Sequence, residues 1–368
     1  MAGNIEYVDY SDVVDNMINL DISDNIDDET ITVNDIYDKN SFVVEPLLDE
    51  NNEQFTMFPI KYPQLWDMYK AQQNSYWRAE EIDFSRDADD FITLTEDEQY
   101  FVKMILAFFA SSDGIVNFNL RERFMNEIKI NEALVVYGWQ TMMENIHSET
   151  YSLMLENIIK DKGERENLFN AIKTVDSIKM MYEWARKWID SQDSFAHRVV
   201  AFACVEGIFF CGAFAAIFWL KKYRSNGKNI MDGLVKSNQL ISRDESMHTQ
   251  FACMLYKMLL NKLDEKKVHA IVSESVEISK IFVKDAIKCH MIGMNLELMN
   301  EYIQYVADTL LVMLGHSKIY NNTNPFGFME SIGLLNKTNF FESRPTEYQA
   351  AFNAKNTAKQ SITILNDF

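Results

Sequence analysis

The scarcity of turn-forming residues constrains this chain more than any other feature of it. Its 368 residues include 12 glycines and 5 prolines, against roughly 7% Gly and about 5% Pro in ordinary soluble domains. Sandwiches and barrels of short strands need a tight turn at close, regular intervals, and this chain lacks the residues to make them. It also lacks the glycine-rich phosphate loops G-x-G-x-x-G and G-x-x-x-x-G-K-[ST], and the nucleophile elbow G-x-S-x-G. Twenty methionines and abundant Leu, Ile and Ala favour helices instead. The expected fold class is all-α.

Apolar period and breakers predict helices over about 64–78, 96–126, 131–159, 164–172, 175–190, 195–222, 233–260, 265–289 and 292–314. The joint at 223–233 reads as a surface loop. Residues 1–55 carry fifteen Asp and Glu against one basic residue, Lys39, which is −14 of the chain's net −20. That segment reads as an acidic, solvated tail. Residues 56–341 form the expected helical domain, and 342–368 a polar tail ending in a small apolar cluster of Ile362, Ile364, Leu365 and Phe368. The body is mildly acidic and carries no general footprint for nucleic acid.

Cys204, Cys211, Cys253 and Cys289 form no C-x-x-C pair, which suits reduced thiols in the cytoplasm. The first residues show no basic-then-apolar leader. From Val199 to Leu220 the chain has a single charge, Glu206. The stretch is long enough to span a bilayer, but an acid at its middle and apolarity on every side fit the central helix of a bundle. No membrane partner is expected.

The chemistry lies in a repeated pattern. Among six histidines, two follow a glutamate by three residues: Glu144–His147 and Glu245–His248. On a helix such a pair shares one face and can grip one metal ion. Each pair is preceded by a helix with a lone acid in an apolar run, Asp113 and Glu206. Taken singly, each residue has a plain structural reading. Together they are the inventory of a ferritin-like di-metal carboxylate bundle, with additional helices, in which Asp113 replaces a usual glutamate. Four buried carboxylates without counter-charge are costly, and two divalent ions cancel them. After oxidation, two trivalent ions with an oxo bridge do the same. Nitrogen and oxygen ligands without thiolate suit iron or manganese, and Fe/Fe, Mn/Mn and Mn/Fe all remain compatible.

Tyr151 lies four residues after His147 and seven after Glu144, on the same helix face. It is either a core tyrosine with a satisfied hydroxyl or a redox-active phenol. Phe210 and Phe214, four and eight residues after Glu206, can supply a dry pocket.

Long runs of the chain resemble the small, radical-generating subunit of class I ribonucleotide reductase, of the eukaryotic and large-virus type. They include FPIKYPQLWDMYK, LAFFASSDGIVNFNL, MENIHSETYSLM, VVAFACVEGIFF, NQLISRDESMH, NPFGFME and KTNFFE. The resemblance implies that Asp113, Glu144, His147, Glu206, Glu245 and His248 bind two iron ions and that Tyr151 carries a stable radical, lined by Phe210, Phe214 and Ile241. It implies that Trp77, in SYWRAEEID, and Asp244, in SRDE, connect the metal site through His147 to a relay ending at Tyr348 in the tail. It further implies a homodimer, O2 and an electron donor as co-reactants, and a large-subunit partner that docks the terminal ITILNDF. The acidic head matches no feature of the family, the 223–233 loop is slightly longer than usual, and the terminal peptide is less acidic. None of the six ligands nor the tyrosine is altered.

The chain holds no nucleotide-cradling motif and no paired cysteines, so the nucleotide must sit on another polypeptide. The expected function is the small subunit of ribonucleoside-diphosphate reductase, an oxidoreductase active only with its large subunit. A stand-alone, desaturase-like di-iron oxidase shares the six ligands and is the alternative. An iron-storage protein and a metal-free scaffold are more distant ones.

Overall fold

The computed structural model describes residues 44–224, 230–287 and 294–330. Helices dominate, and no strand forms among the described residues. Their order is α1 (Pro63–Asn74), α2 (Glu96–Asn119), α3 (Asn131–Ile158), α4 (Asp176–Asp190), α5 (Phe195–Cys204), α6 (Cys211–Tyr223), α7 (Asp232–Met258), α8 (Glu265–Ala286) and α9 (Leu296–Leu314). Short helical turns join them. A five-residue π-helical stretch, Val205–Phe209, runs α5 into α6, and a second, Leu120–Phe124, follows α2.

Four of these segments form the core: α2 packs on α3, α5 on α7, and α3 on α7. Helices α8 and α9 pair beside α5 and α7, and α4 lies across α2, α5 and α8. The apolar helix expected to be central is so: within Phe195–Tyr223 the most apolar window is 94% buried. Glu96–Glu127 is also long and apolar enough to cross a membrane, and 61% of its window is buried in the bundle. Both are core helices, apolar because the bundle surrounds them.

The ends of two core helices are fixed by side chains. Thr95 and Glu98 cap α2 reciprocally, the Thr95 hydroxyl accepting from the Glu98 N–H and the Glu98 carboxylate accepting from the Thr95 N–H. Helix α7 borrows its cap from a distant segment. Asp87 accepts from the backbone N–H groups of Gly233 and Leu234 at 3.0 and 2.7 Å, and Asp90 from that of Met231 at 2.8 Å. Burial raises Asp87 to about 6, opposed by those two N–H groups. Gly233 is required there, because a Cβ would meet the Phe84 ring at 2.5 Å and the Asp83 carbonyl at 2.7 Å. This junction sets the start of the helix that carries Asp244, Glu245 and His248.

Part of the segment grouped with the acidic head in the sequence meets the body, although Val44 and Phe55 are exposed. Leu47 is buried, and its carbonyl accepts from the Lys129 N–H at 2.8 Å. Glu45 accepts from the N–H groups of Leu260 and Asn261 just beyond α7. The acidity of the segment conceals one apolar anchor and one capping carboxylate.

Candidate metal centre

Helix α2 contributes Asp113, α3 Glu144 and His147, the π-helical stretch Glu206, and α7 Glu245 and His248. All six side chains are between 0 and 2% exposed. They form two overlapping groups, Asp113–Glu144–His147 and Glu144–Glu206–Glu245–His248, each offering ligand atoms within 4.8 Å of one another. Glu144 belongs to both. Its Oε2 lies 3.3 Å from His147 Nδ1 and its Oε1 2.9 Å from His248 Nδ1. Glu245 spans the same gap, with Oε1 3.0 Å from His147 Nδ1 and Oε2 3.1 Å from His248 Nδ1. Two glutamates thus bridge two imidazoles, and Asp113 and Glu206 stand at opposite ends. That is the geometry of two adjacent ions sharing carboxylates.

The π-helical turn has a local role. A wider turn displaces Glu206 from ordinary α-helical register, a frequent device at functional sites. Gln140, four residues before Glu144, donates from Nε2 to Glu206 Oε1 at 2.9 Å and to Glu144 Oε1 at 3.4 Å. It ties one terminal carboxylate to a bridging one.

The electrostatics are those of buried acids and imidazoles crowded together. Burial, reinforced by Glu144, raises Asp113 well above the usual carboxylate range. Burial, reinforced by Glu245, does the same to Glu206. Burial opposes charge on the imidazoles, but the surrounding carboxylates outweigh it. Asp244, Glu144 and Glu245 raise His147 well above its ordinary value. Glu144 and Glu245 raise His248 to about 9. Glu245 is lowered despite its burial, chiefly by His248. Protons therefore supply the counter-charge that a bound cation could supply instead. Asp113 Oδ2 and Glu206 Oε2 are buried and accept from no donor among the described residues, which is costly unless a cation meets them. The all-N/O donor set fits iron or manganese.

Beside the cluster, Tyr151 is 1% exposed and its hydroxyl has no hydrogen-bond partner among the described residues. Burial and then Asp113 raise its phenol well above the ordinary value, so it stays protonated. The Phe109 ring stacks on it at 4.7 Å and 12°. Phe210 and Phe214 meet Phe109 at 6.2 and 5.4 Å, completing an aromatic wall. Ile241 is buried on α7, one turn before Glu245.

On the other flank, His147 Nε2 lies 3.2 Å from Asp244 Oδ2, the same oxygen that accepts from Trp77 Nε1 at 2.7 Å. The Trp77 and His147 rings stack at 5.9 Å and 19°. Arg243 donates to Asp244 Oδ1 at 2.9 and 3.1 Å. Despite burial, Arg243 and His147 lower Asp244 and keep it ionised. This carboxylate orients the His147 imidazole and links it to an indole.

Comparison with known proteins follows the same line. Residues 54–325 match the family model described as ribonucleotide reductase, small chain. The chain belongs to the ribonucleotide reductase small-chain family. It is 53% identical over 307 residues to the ribonucleoside-diphosphate reductase small chain of Nicotiana tabacum, covering 83% of this chain and 92% of that one. It is 49% identical over 342 residues to the small subunit of Dictyostelium discoideum, covering 91% and 99%. Among solved structures, the Rnr4 homodimer of Saccharomyces cerevisiae superposes with a TM-score of 0.70 at 38% identity, covering 84% of this chain and 93% of that one. The all-α, ferritin-like bundle is thus the family fold. The small chain serves ribonucleoside-diphosphate reductase, an oxidoreductase, and acts with a large subunit.

Two residues of the small-chain site escape a reading of motifs. Phe109, four residues before Asp113, shares its helix face and forms the stack on Tyr151. Gln140 stands in the same relation to Glu144. In both cases the signal is the i, i+4 relation to a carboxylate of the cluster. Tyr348 and the tail residues Ile362, Ile364, Leu365 and Phe368 lie outside the described residues.

Proposed function

We propose that Asp113, Glu144, His147, Glu206, Glu245 and His248 hold two iron ions, that O2 drives oxidation of Tyr151 to a stable radical, and that the oxidising equivalent passes through Trp77 and Tyr348 to the large subunit for reduction of ribonucleoside diphosphates. The observation that carries this reading is the convergence of six buried ligands into two groups sharing Glu144, with an unpartnered phenol two turns along the same helix face. When bound, the iron pair supplies two of the four electrons that reduce O2 to the water level, Tyr151 supplying the third and an external one-electron donor the fourth.

The rest follows from the protein's own groups. Tyr151 is held neutral, so loss of its electron entails loss of the Oη proton and leaves a neutral phenoxyl radical. The apolar wall of Phe109, Phe210 and Phe214 offers that radical no hydrogen donor and keeps water away. The ionised Asp244 carboxylate beside the Trp77 N–H favours positive charge on the indole and can accept its proton, so Trp77 is suited to brief oxidation. The hydrogen-bonded line from His147 through Asp244 to Trp77 supports its place as the first relay station.

The yeast homodimer supports a homodimeric small chain, with Ile362, Ile364, Leu365 and Phe368 docking to the large subunit as apolar anchors on a tail. The described cysteines Cys204, Cys211 and Cys253 are free and buried, which agrees with a reducing, cytoplasmic setting.

The test combines the small chain with its large subunit and a ribonucleoside diphosphate. Deleting the last seven residues is expected to abolish large-subunit binding and turnover while the radical persists. Full activity of the truncated chain refutes the docking role.

A further inference from the structure

The ligand cluster is closed on two sides, by the Tyr151 aromatic wall and by the stack of Trp77 on His147. A third side is packed less tightly. Between α2, α4 and the π-helical stretch lies a cavity of about 20 Å³, lined by Ser112, Ile115, Ile178, Ala185, Phe209 and Phe210 among others. A neighbouring cavity of about 10 Å³ shares Ile115, Ala185 and Val205 with it. At the outer end the walls include the half-buried Tyr182, Ile172 and Trp188. At the inner end Val205 adjoins Glu206 in sequence, and the Ser112 hydroxyl contacts Asp113 Oδ1 at 3.3 Å. Asp113 and Glu206 each carry a buried oxygen that accepts from no donor among the described residues. Val205 and Phe209 begin and end the π-helical stretch, whose wider turn accounts for incomplete packing along this seam.

We propose that this seam is the route by which dioxygen crosses the protein from the α4 face to the carboxylate cluster, with Ala185, shared by both cavities, as its control point. The larger cavity is lined by apolar groups apart from Ser111 and Ser112, whose hydroxyls donate to backbone carbonyls, and an apolar cavity stays dry and takes up nonpolar gas. It therefore admits O2 while withholding the water that quenches a radical. The small side chain of Ala185, shared by both cavities, leaves the two spaces adjoining. The proposal rests on the reading that dioxygen is the oxidant.

The test has two arms. Crystals of the metal-free, full-length chain are pressurised with xenon. Xenon is expected between Ile115, Ile178 and Phe209, with occupancy raised in Ile178→Ala and lost in Ala185→Leu. The Fe(II)-loaded chain is then mixed with O2, and appearance of the tyrosyl signal is followed. Ala185→Leu is expected to lower the O2-dependent rate roughly tenfold, the slowing that about 1.4 kcal/mol of added barrier gives. Iron per chain and final signal stay as in the parent, and Ile178→Ala is not slowed. Absence of xenon from the cavity in both the parent and Ile178→Ala overturns the proposal. So does an unchanged O2-dependent rate in an Ala185→Leu variant that has lost xenon. A parent chain that binds iron and yields no radical refutes the tyrosyl reading instead, and the xenon arm still decides whether this seam takes up gas.

Discussion

Metal loading should expel protons from this site in a countable number. In the metal-free chain, burial favours the neutral acid forms of Asp113 and Glu206. The surrounding carboxylates hold His147 and His248 as imidazolium ions, the latter to about pH 9. Ligation requires carboxylates and neutral imidazoles, so the raised acids and imidazolium ions must give up protons, one from His248 at pH 7 and more from Asp113, Glu206 and His147. An anaerobic titration with Mn(II) in weak buffer, read by a pH indicator, measures the release. Ordinary carboxylates and histidines are already almost wholly deprotonated at that pH, so the same titration would then release less than about one proton. That result refutes the electrostatic description. Above pH 9 the count should fall by about one as His248 loses its proton beforehand. The sign for stability follows. His248 is raised on folding, so its contribution to the metal-free chain is full below about pH 6.5 and disappears as pH rises through about 9. Metal affinity should rise over the same interval.

Three substitutions test neighbouring parts of the account. Phe109→Ala removes the ring stacked on Tyr151 and should cost about 3–5 kcal/mol of stability; the radical, followed by EPR, should decay far faster, and an unchanged lifetime contradicts the pocket's protective role. Gln140→Leu frees Glu206 and Glu144 from their shared amide and should weaken metal binding roughly 10- to 100-fold, measured by competition with a chelator. Asp244→Asn should leave a tyrosyl signal in the isolated small chain while sharply reducing turnover with the large subunit; full turnover removes Asp244 from the relay.

The helices are legible because a chain so poor in glycine and proline leaves its 3.6-residue apolar period uninterrupted. The two Glu-x-x-His pairs are legible because each is local, a single turn of helix. What stays hidden depends on contacts distant in sequence. The link between Trp77 and Asp244 spans 167 residues and shows in the sequence only through family resemblance. The cap that Asp87 provides to α7 lies 146 and 147 residues away and leaves no local pattern. The π-helical stretch around Glu206 is set by packing, since nothing in VEGIF distinguishes it from an α-helix. Leu47 is masked because its acidic neighbours dominate the composition of the segment.

The most direct measurement loads the full-length chain with Fe(II) anaerobically, admits O2, and records iron content and the EPR spectrum beside Tyr151→Phe. The account predicts about two irons per chain in both proteins and a tyrosyl signal that disappears in the variant. Failure to bind metal, or a tyrosyl signal of equal intensity in Tyr151→Phe, contradicts it.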